Sequence, residues 1–241
     1  MMESGLSILK WDSSFFGYKV AALRPANLSK AEAGNIIQQL KDSQVKLLYI
    51  FVAPEDHESN DTLFKYSAKL VDEKVTYIKT INKNIDLDKD ICIRPYGLDK
   101  PNLKLKELTL QSGIYSRFKV DTNFKNNEFE NLYTEWIEKS VRKEFADEVL
   151  VYSDKLGIKG FVTISVRSDT GTIGLIAVDE SERGKSIGKK LMNAAMLYSL
   201  MKGACIAEVA TQKANEGACR FYKSIGFEVK NIVNVYHLWI S

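Results

Sequence analysis

Apolar and polar positions along this chain fall into short blocks whose period switches between two and about three and a half, the mark of alternating strands and helices. Residues 8–11 and 18–23 read as extended, and residues 29–44 place Ile36, Ile37 and Leu40 at helical spacing. The run V-K-L-L-Y-I-F-V at 45–52 predicts a buried strand, broken by Pro54, Glu55 and Asp56. A short helix is expected around 62–69 and another strand over 74–81. The polar run 82–90 has a linker's composition, which predicts a small α/β domain over 1–90 and a second domain over 91–241.

In the second domain the blocks predict a strand at 91–95 and a helix at 103–111. A longer helix over 127–148 carries Phe129, Leu132, Trp136, Val141 and Phe145 loosely on one side. Strands follow at 149–154, 160–167 and 170–178. A glycine-containing loop then opens a helix striped by Ile187, Leu191, Ala194, Ala195, Tyr198 and Met201, with Gly203 suited to its C-terminal cap. A strand at 204–211, a helix at 215–224 and one or two strands over 227–240 complete the order. The class is α/β (α+β), without repeats or low-complexity segments.

Composition narrows the function. A hydrophobic share of 45% and a charged share of 27% are those of a globular protein, and a net charge of +3 is too mild to argue for nucleic acid or a membrane surface as partner. Cys92, Cys205 and Cys219 are widely spaced and read as free thiols of a reducing compartment. The amino terminus shows no apolar run of signal-peptide length, and the most apolar stretch, 47–53, is strand-sized. The expected location is the cytoplasm, with no membrane insertion. Neither a metal-ligand cluster nor a Ser-His-Asp or Cys-His arrangement is visible.

Candidate chemistry begins at E-R-G-K-S-I-G-K-K, residues 182–190. Gly184-Lys185-Ser186 looks like the end of a triphosphate loop, G-x-x-x-x-G-K-[ST]. The first glycine of that pattern falls on Asp179, whose carboxylate would repel phosphate, and the spacing excludes the reading. By itself the segment is equally compatible with a plain strand-to-helix turn served by Gly184 and Gly188.

A second pattern fits. R-G-K-S-I-G, residues 183–188, resembles the [QR]-x-x-G-x-[GA] signature of the GNAT acetyltransferases. The segment N-E-G-A-C-R-F-Y-K-S-I-G-F, 215–227, is similar to that family's N-x-x-A-x-x-x-Y-x-x-x-G-F, matching at Asn215, Ala218, Tyr222, Gly226 and Phe227. The resemblance covers roughly residues 91–241. It implies a mixed, mostly antiparallel central sheet flanked by helices, acetyl-CoA as co-substrate and no metal. It implies that the backbone of Arg183, Gly184, Lys185, Ser186, Ile187, Gly188 and Lys189 wraps the pyrophosphate at a helix N-terminus. Leu175, Ile176, Ala177 and Val178 would line the acyl group and supply an oxyanion-binding amide, with 176–178 nearest the thioester. Asn215 would meet the pantetheine arm, and Tyr222 would protonate the departing thiolate. Periodicity alone reads Tyr222 as a core aromatic and Asn215 as a helix N-cap. Ser186 stands where the family has its first glycine, so a displaced turn is expected there.

Residues 9–20 (L-K-W-D-S-S-F-F-G-Y-K-V) and 116–140, with T-Q-K-A-N and the closing Y-H-L-W-I, are similar to family members that acetylate dTDP-linked 4-amino-4,6-dideoxy sugars for cell-surface polysaccharide. That resemblance implies a small nucleotide-sugar acceptor, a small amino-terminal α/β domain and a homodimer. Most aromatics of these stretches are expected to be core residues. Arg117 falls where the acceptor site would border and reads either as a ligand of the sugar's diphosphate or as a surface ion-pair partner. No general base is assigned. His57 reads as solvated, His237 as core or site-facing, and Glu208 as a carboxylate that burial would require to be paired. A different amine acceptor, such as another nucleotide amino sugar, a protein amino terminus or a small amine, is the alternative, and a non-catalytic acyl-CoA-binding module is a third possibility.

Overall fold

The computed structural model describes residues 5–25, 27–81 and 92–240; the linker read at 82–90, the boundary near 90 and Ile91 lie outside the described residues. The chain divides into two compact units. The first comprises Met1–Val75, Gln212–Ala214 and Asn231–Ser241, and the second Thr76–Thr211 with Asn215–Lys230.

In the first unit the elements are β1 (Ser7–Ile8), α1 (Lys10–Phe16), β2 (Lys19–Leu23), α2 (Lys30–Asp42), β3 (Val45–Val52), α3 (His57–Lys65), the start of β4 (Lys69–Thr80), and most of the chain's last strand, Glu228–Trp239. Residues 45–52 are apolar almost throughout because β3 is an inner strand. It pairs parallel to β2 and antiparallel to the last strand, so both of its edges are closed. Leu48, Ile50 and Val52 enter a core with Leu23, Leu28, Leu40 and Leu63. Ser29 and Glu32 form a reciprocal capping box that starts α2.

Three local readings change. Residues 8–11 are not a strand: β1 stops at Ile8 and α1 starts at Lys10, closed by Gly17 in a left-handed conformation (φ 73°) with its N–H bonded to Ser13 O. Helix α3 begins at His57 rather than near 62 because Asp56 caps it, accepting from the Ser59 amide at 3.1 Å. Trp11, Phe15 and Phe16 are not core residues. They are half-buried and form a surface cluster, Trp11 stacked on Phe15 with centroids 5.3 Å apart and Phe16 edge-on to Phe15 at 5.0 Å.

The second unit continues with β5 (Ile93–Pro95), α4 (Leu103–Ser112), α5 (Arg117–Val120), α6 (Glu128–Val141), β6 (Glu148–Asp154), β7 (Gly157–Arg167), β8 (Thr170–Val178), α7 (Ile187–Met201), β9 (Ile206–Gln212), α8 (Glu216–Ser224) and the start of β10 (Glu228–Trp239). Strand order is β4-β9-β8-β7-β6-β5. β5 to β8 pair antiparallel in succession, and β8 pairs parallel with β9, giving a mixed and mostly antiparallel sheet. Side chains alternate across it. Phe161 joins Leu105, Leu108, Ile137, Val149 and Val151 under α4 and α6, whereas Gly160 meets Ile187 and Leu191 of α7 on the opposite face. The helix expected over 127–148 stops at Val141; Lys143 turns left-handed (φ 64°) and Phe145 is 41% exposed. The four-residue α5 had no periodic signal to announce it.

Gly171 shows how closely α7 is seated on β8: a Cβ there would lie 2.0 Å from Ser199 Oγ, whose side chain is wholly buried. Gly171→Ala is expected to lower the free energy of unfolding by about 1–3 kcal/mol through this overpacking. Chemical denaturation of the two proteins measures it.

Candidate active site

The site is built where two strands part. β8 and β9 pair from Thr170↔Ile206 to Ile173↔Val209, and the ladder ends there. β8 runs on to Val178 against β7, with a register shift between Val162 and Ile164. Thr163 opposes both Gly174 and Leu175, a β-bulge. The Leu175 amide donates to Thr163 Oγ1 at 2.8 Å. Gly174 permits the approach, since a Cβ there would lie 2.9 Å from that oxygen.

Beyond the bulge the antiparallel alternation fixes where each amide points. Asp179 N–H donates to Lys159 O at 2.8 Å, marking a hydrogen-bonded pair. Ala177, opposite Phe161, therefore also faces β7. Ile176 and Val178 then turn their N–H and C=O groups the other way, toward the side β9 has left. The Val178 carbonyl accepts from Arg183 Nε at 3.4 Å, in keeping with that direction. Of the four strand residues the family resemblance pointed to, the structure offers amides from Ile176 and Val178, while those of Leu175 and Ala177 are taken by β7.

After β8 the chain makes a single helical turn, Glu180–Glu182, passes Arg183 in extended conformation, and reverses at Gly184 (φ 81°). Ser186 is the N-cap of α7 and sits left-handed (φ 62°, ψ 8°), a conformation that glycine adopts without the Cβ cost a serine carries. Its hydroxyl makes no capping bond. The first bond within the helix is Lys190 N–H to Ser186 O at 3.1 Å. The amides of Ile187, Gly188 and Lys189 therefore have no partner inside the helix and, with the helix dipole, form an anion-favouring terminus. Lys185 is held by Glu182 at 2.8 Å and Lys159 reaches the same carboxylate at 3.3 Å. These contacts, Lys185's first, lower the Glu182 pKa. Lys104 of α4 pairs with Asp179, and its hydrogen bond, followed by those of Ser181, holds the Asp179 carboxyl well below its usual range.

Helix α8 begins at Asn215, whose side chain accepts from Ala218 N–H at 3.2 Å, so the capping role is realised. Helices α7 and α8 meet at Gly188: a Cβ there would lie 3.3 Å from the Phe221 ring and 3.7 Å from Val178 Cγ2. This contact brings the strand end, the loop and the tyrosine helix together. Tyr222 is only 3% exposed and packs against Tyr77, Phe221 and Phe227 at centroid distances of 5.6, 5.4 and 6.0 Å. Burial, then Cys219 and Tyr77, push its pKa up. Burial and a hydrogen bond with Cys219 push Tyr77 up to about 12. Both phenols are thus protonated throughout the neutral range.

Arg117 enters the structure at the first position of α5, half-buried, with its guanidinium 4.7 Å over the Phe118 ring. His57 is exposed at the start of α3, His237 is buried and stacked on Tyr49 at 4.8 Å, and Glu208 pairs with Lys230 at 2.7 Å. Among the described residues no group of three or more His, Cys, Asp or Glu side chains is placed to hold a metal ion. No helix among them is long and apolar enough to cross a membrane. Thr163, Phe221 and Lys104 escaped the sequence reading. A threonine inside an apolar strand and an aromatic beside the candidate tyrosine were the available signals for the first two.

Comparison with known proteins adds three findings. The family model for the Acetyltransferase (GNAT) family matches residues 114–227. A dTDP-fucosamine acetyltransferase of Escherichia coli O6:H1 is 24% identical over 232 residues, covering 95% of this chain and 96% of that protein. Among solved structures, a GCN5-related N-acetyltransferase from Sphaerobacter thermophilus superimposes with TM-score 0.62 at 14% identity, covering 98% of this chain and 76% of that one. A functionally unknown conserved protein from Staphylococcus epidermidis does so with TM-score 0.71 at 12% identity, over 100% and 93% of the two chains. The structural likenesses are ones of fold.

Two outcomes are expected from the site's physical state. Ser186→Gly removes a left-handed serine and should raise the free energy of unfolding by about 0.5–1 kcal/mol, whereas Ser186→Val should lower it by at least as much; chemical denaturation of both variants measures the change. The second concerns alkali. The Tyr77 pKa is raised in the folded protein from 10.0 to about 12, so its contribution to stability is whole below pH 10 and is lost between pH 10 and 12. Tyrosinate absorbance followed alongside unfolding should show buried phenols ionising only as the protein unfolds. Titration of every tyrosine near pH 10 in folded protein would contradict this.

Proposed function

We propose, from the premise that residues 114–227 are an acetyltransferase domain of the GNAT family and the chain an acyl-transfer enzyme, that it moves acetyl from acetyl-CoA to the 4-amino group of a dTDP-linked 4-amino-4,6-dideoxy sugar. The observation that carries the acyl-transfer half is the paired exposure of the Ile176 and Val178 backbone beyond the bulge, one turn before a helix N-terminus without a side-chain cap. Whole-length similarity to a dTDP-fucosamine acetyltransferase supports the acceptor, together with the resemblance read at residues 9–20 and 116–140.

In this reading the loop amides from Arg183 to Lys189 hold the pyrophosphate, with Gly184, open on its Cβ side, admitting it close to the backbone. An amide of Ile176 or Val178 meets the thioester oxygen. As the neutral amine attacks, negative charge builds on that oxygen, and a fixed donor there contributes about 3 kcal/mol of transition-state stabilisation. A C–N bond forms, the C–S bond breaks, the sulfur receives a proton from Tyr222, and the proton lost by the amine, passed through solvent, restores the phenol. A phenol whose pKa is raised is a weak acid toward a solvated thiolate near 8.5. The transfer therefore runs where the sulfur too is shielded from water and its proton affinity has risen. Arg117, already half-buried against Phe118, is the residue assigned to the acceptor's diphosphate, and Asn215 to the pantetheine arm.

Free-thiol release during incubation with acetyl-CoA and a panel of amines tests the reading. The dTDP-linked 4-amino sugar should be the preferred acceptor. Preference for another nucleotide amino sugar, a peptide amino terminus or a small amine would replace it. Tyr222→Phe should lower kcat about 10²-fold while leaving acetyl-CoA affinity within a factor of about two; unchanged turnover would confine Tyr222 to packing, and acetyl-CoA binding without any transfer would favour a binding module.

A further inference from the structure

The proposed pyrophosphate cradle is preceded by charge of the wrong sign. Asp179, Glu180 and Glu182 occupy the turn immediately before Arg183. Asp179 cannot swing away. Its carboxylate accepts from the Ser181 amide at 3.0 Å and the Ser181 hydroxyl at 2.6 Å, while its own N–H is fixed to Lys159 O. Glu182 is neutralised from nearby, by Lys185 within the loop and Lys159 on the adjoining strand. The partner of Asp179 comes from farther along the fold, as Lys104 of α4.

Lys104 is badly placed for its own helix. It lies in the first turn of α4, two residues after the N-cap Asn102, where the helix dipole disfavours a cation and only a 3.4 Å contact with Glu107 offsets this within the helix. Its side chain is 38% exposed, and a pair so open to water contributes little to folding. What the pair changes is the field at the loop, where an uncompensated carboxylate would oppose a bound pyrophosphate.

We infer that Lys104 is a positioning residue for acyl-CoA: by neutralising Asp179 it makes the β8–α7 loop able to hold a pyrophosphate. The inference rests on the proposed function's assignment of that loop to the pyrophosphate. It requires the effect of removing Lys104 to act through Asp179. Loss of the lysine alone leaves a fixed negative charge at the head of the loop, a repulsion that lowers affinity for the anion about tenfold at low salt. Loss of both charges removes the repulsion that Asp179 exerts.

Titration calorimetry with acetyl-CoA on the wild type, Lys104→Met, Lys104→Arg, Asp179→Asn and the Lys104→Met/Asp179→Asn double variant tests this. The dissociation constant should rise about tenfold in Lys104→Met and return to within about threefold of wild type in the double variant. Lys104→Arg and Asp179→Asn should each stay within about threefold of wild type. The Lys104→Met defect should shrink in about 0.5 M salt, where the Debye length falls to about 4 Å; a lysine that merely held α4 would show no such rescue. Equal losses in Lys104→Met and the double variant, with wild type binding normally, would overturn the inference and leave the cradle standing. Wild-type protein that binds no acetyl-CoA would overturn the cradle, and this inference with it.

Discussion

The parting of β8 from β9 is the constraint on which the rest of the site depends. Two parallel strands that stayed paired along their length would consume every amide between them. Here the ladder ends at Ile173 and Val209. The bulge at Thr163, Gly174 and Leu175 then resets the alternation, so that Ile176 and Val178 face away from β7. Threonine and glycine are both needed. The hydroxyl satisfies the Leu175 amide that the bulge would otherwise leave without a partner, and the absent Cβ lets it come close. The half-burial of residues 175–178, unusual for an inner strand of a packed sheet, is the outward sign of this opening.

Around that opening the charges are arranged to leave a helix terminus and its amides as the dominant feature. Carboxylates crowd the preceding turn, yet Asp179 and Glu182 are each held by a lysine. Tyr222 contributes differently. Its burial against Tyr77 and Phe227 makes it part of the packing between α8 and β4 and raises its pKa. The core reading that periodicity gave Tyr222 is the one its 3% exposure matches, and the proton-donor role that the resemblance implied remains the proposal above.

Much of this was legible in the sequence. β3, β8 and the order of elements around the loop follow from apolar runs and from turn residues, signals set by local chemistry. Elements fixed by capping were harder to place. Asp56 reads as part of a strand breaker until its bond to the Ser59 amide shows it to be a helix start, and residues 8–11 look extended until Gly17 is seen closing α1. In the site, the tyrosine, the asparagine cap and the glycine loop were recognisable because they lie in short motifs. Thr163 and Lys104 were not, since each acts across the fold on a residue far away in sequence, through a β-bulge in one case and an ion pair in the other. Ser186 was legible only as a departure from the motif that the segment resembles; its left-handed conformation, with no capping bond from the hydroxyl, had no signal in the sequence.

In the proposed function the freed strand edge and the α7 terminus together receive acyl-CoA. Residue-resolved amide hydrogen exchange, with and without acetyl-CoA, is the most direct measurement of that claim. Exchange should slow at Ile176 and Val178 and across Gly184 to Lys189, while Thr170 to Ile173, already held in the ladder with β9, should be unaffected. Acetyl-CoA that slowed exchange elsewhere in the chain, and left Ile176, Val178 and the loop unchanged, would contradict it.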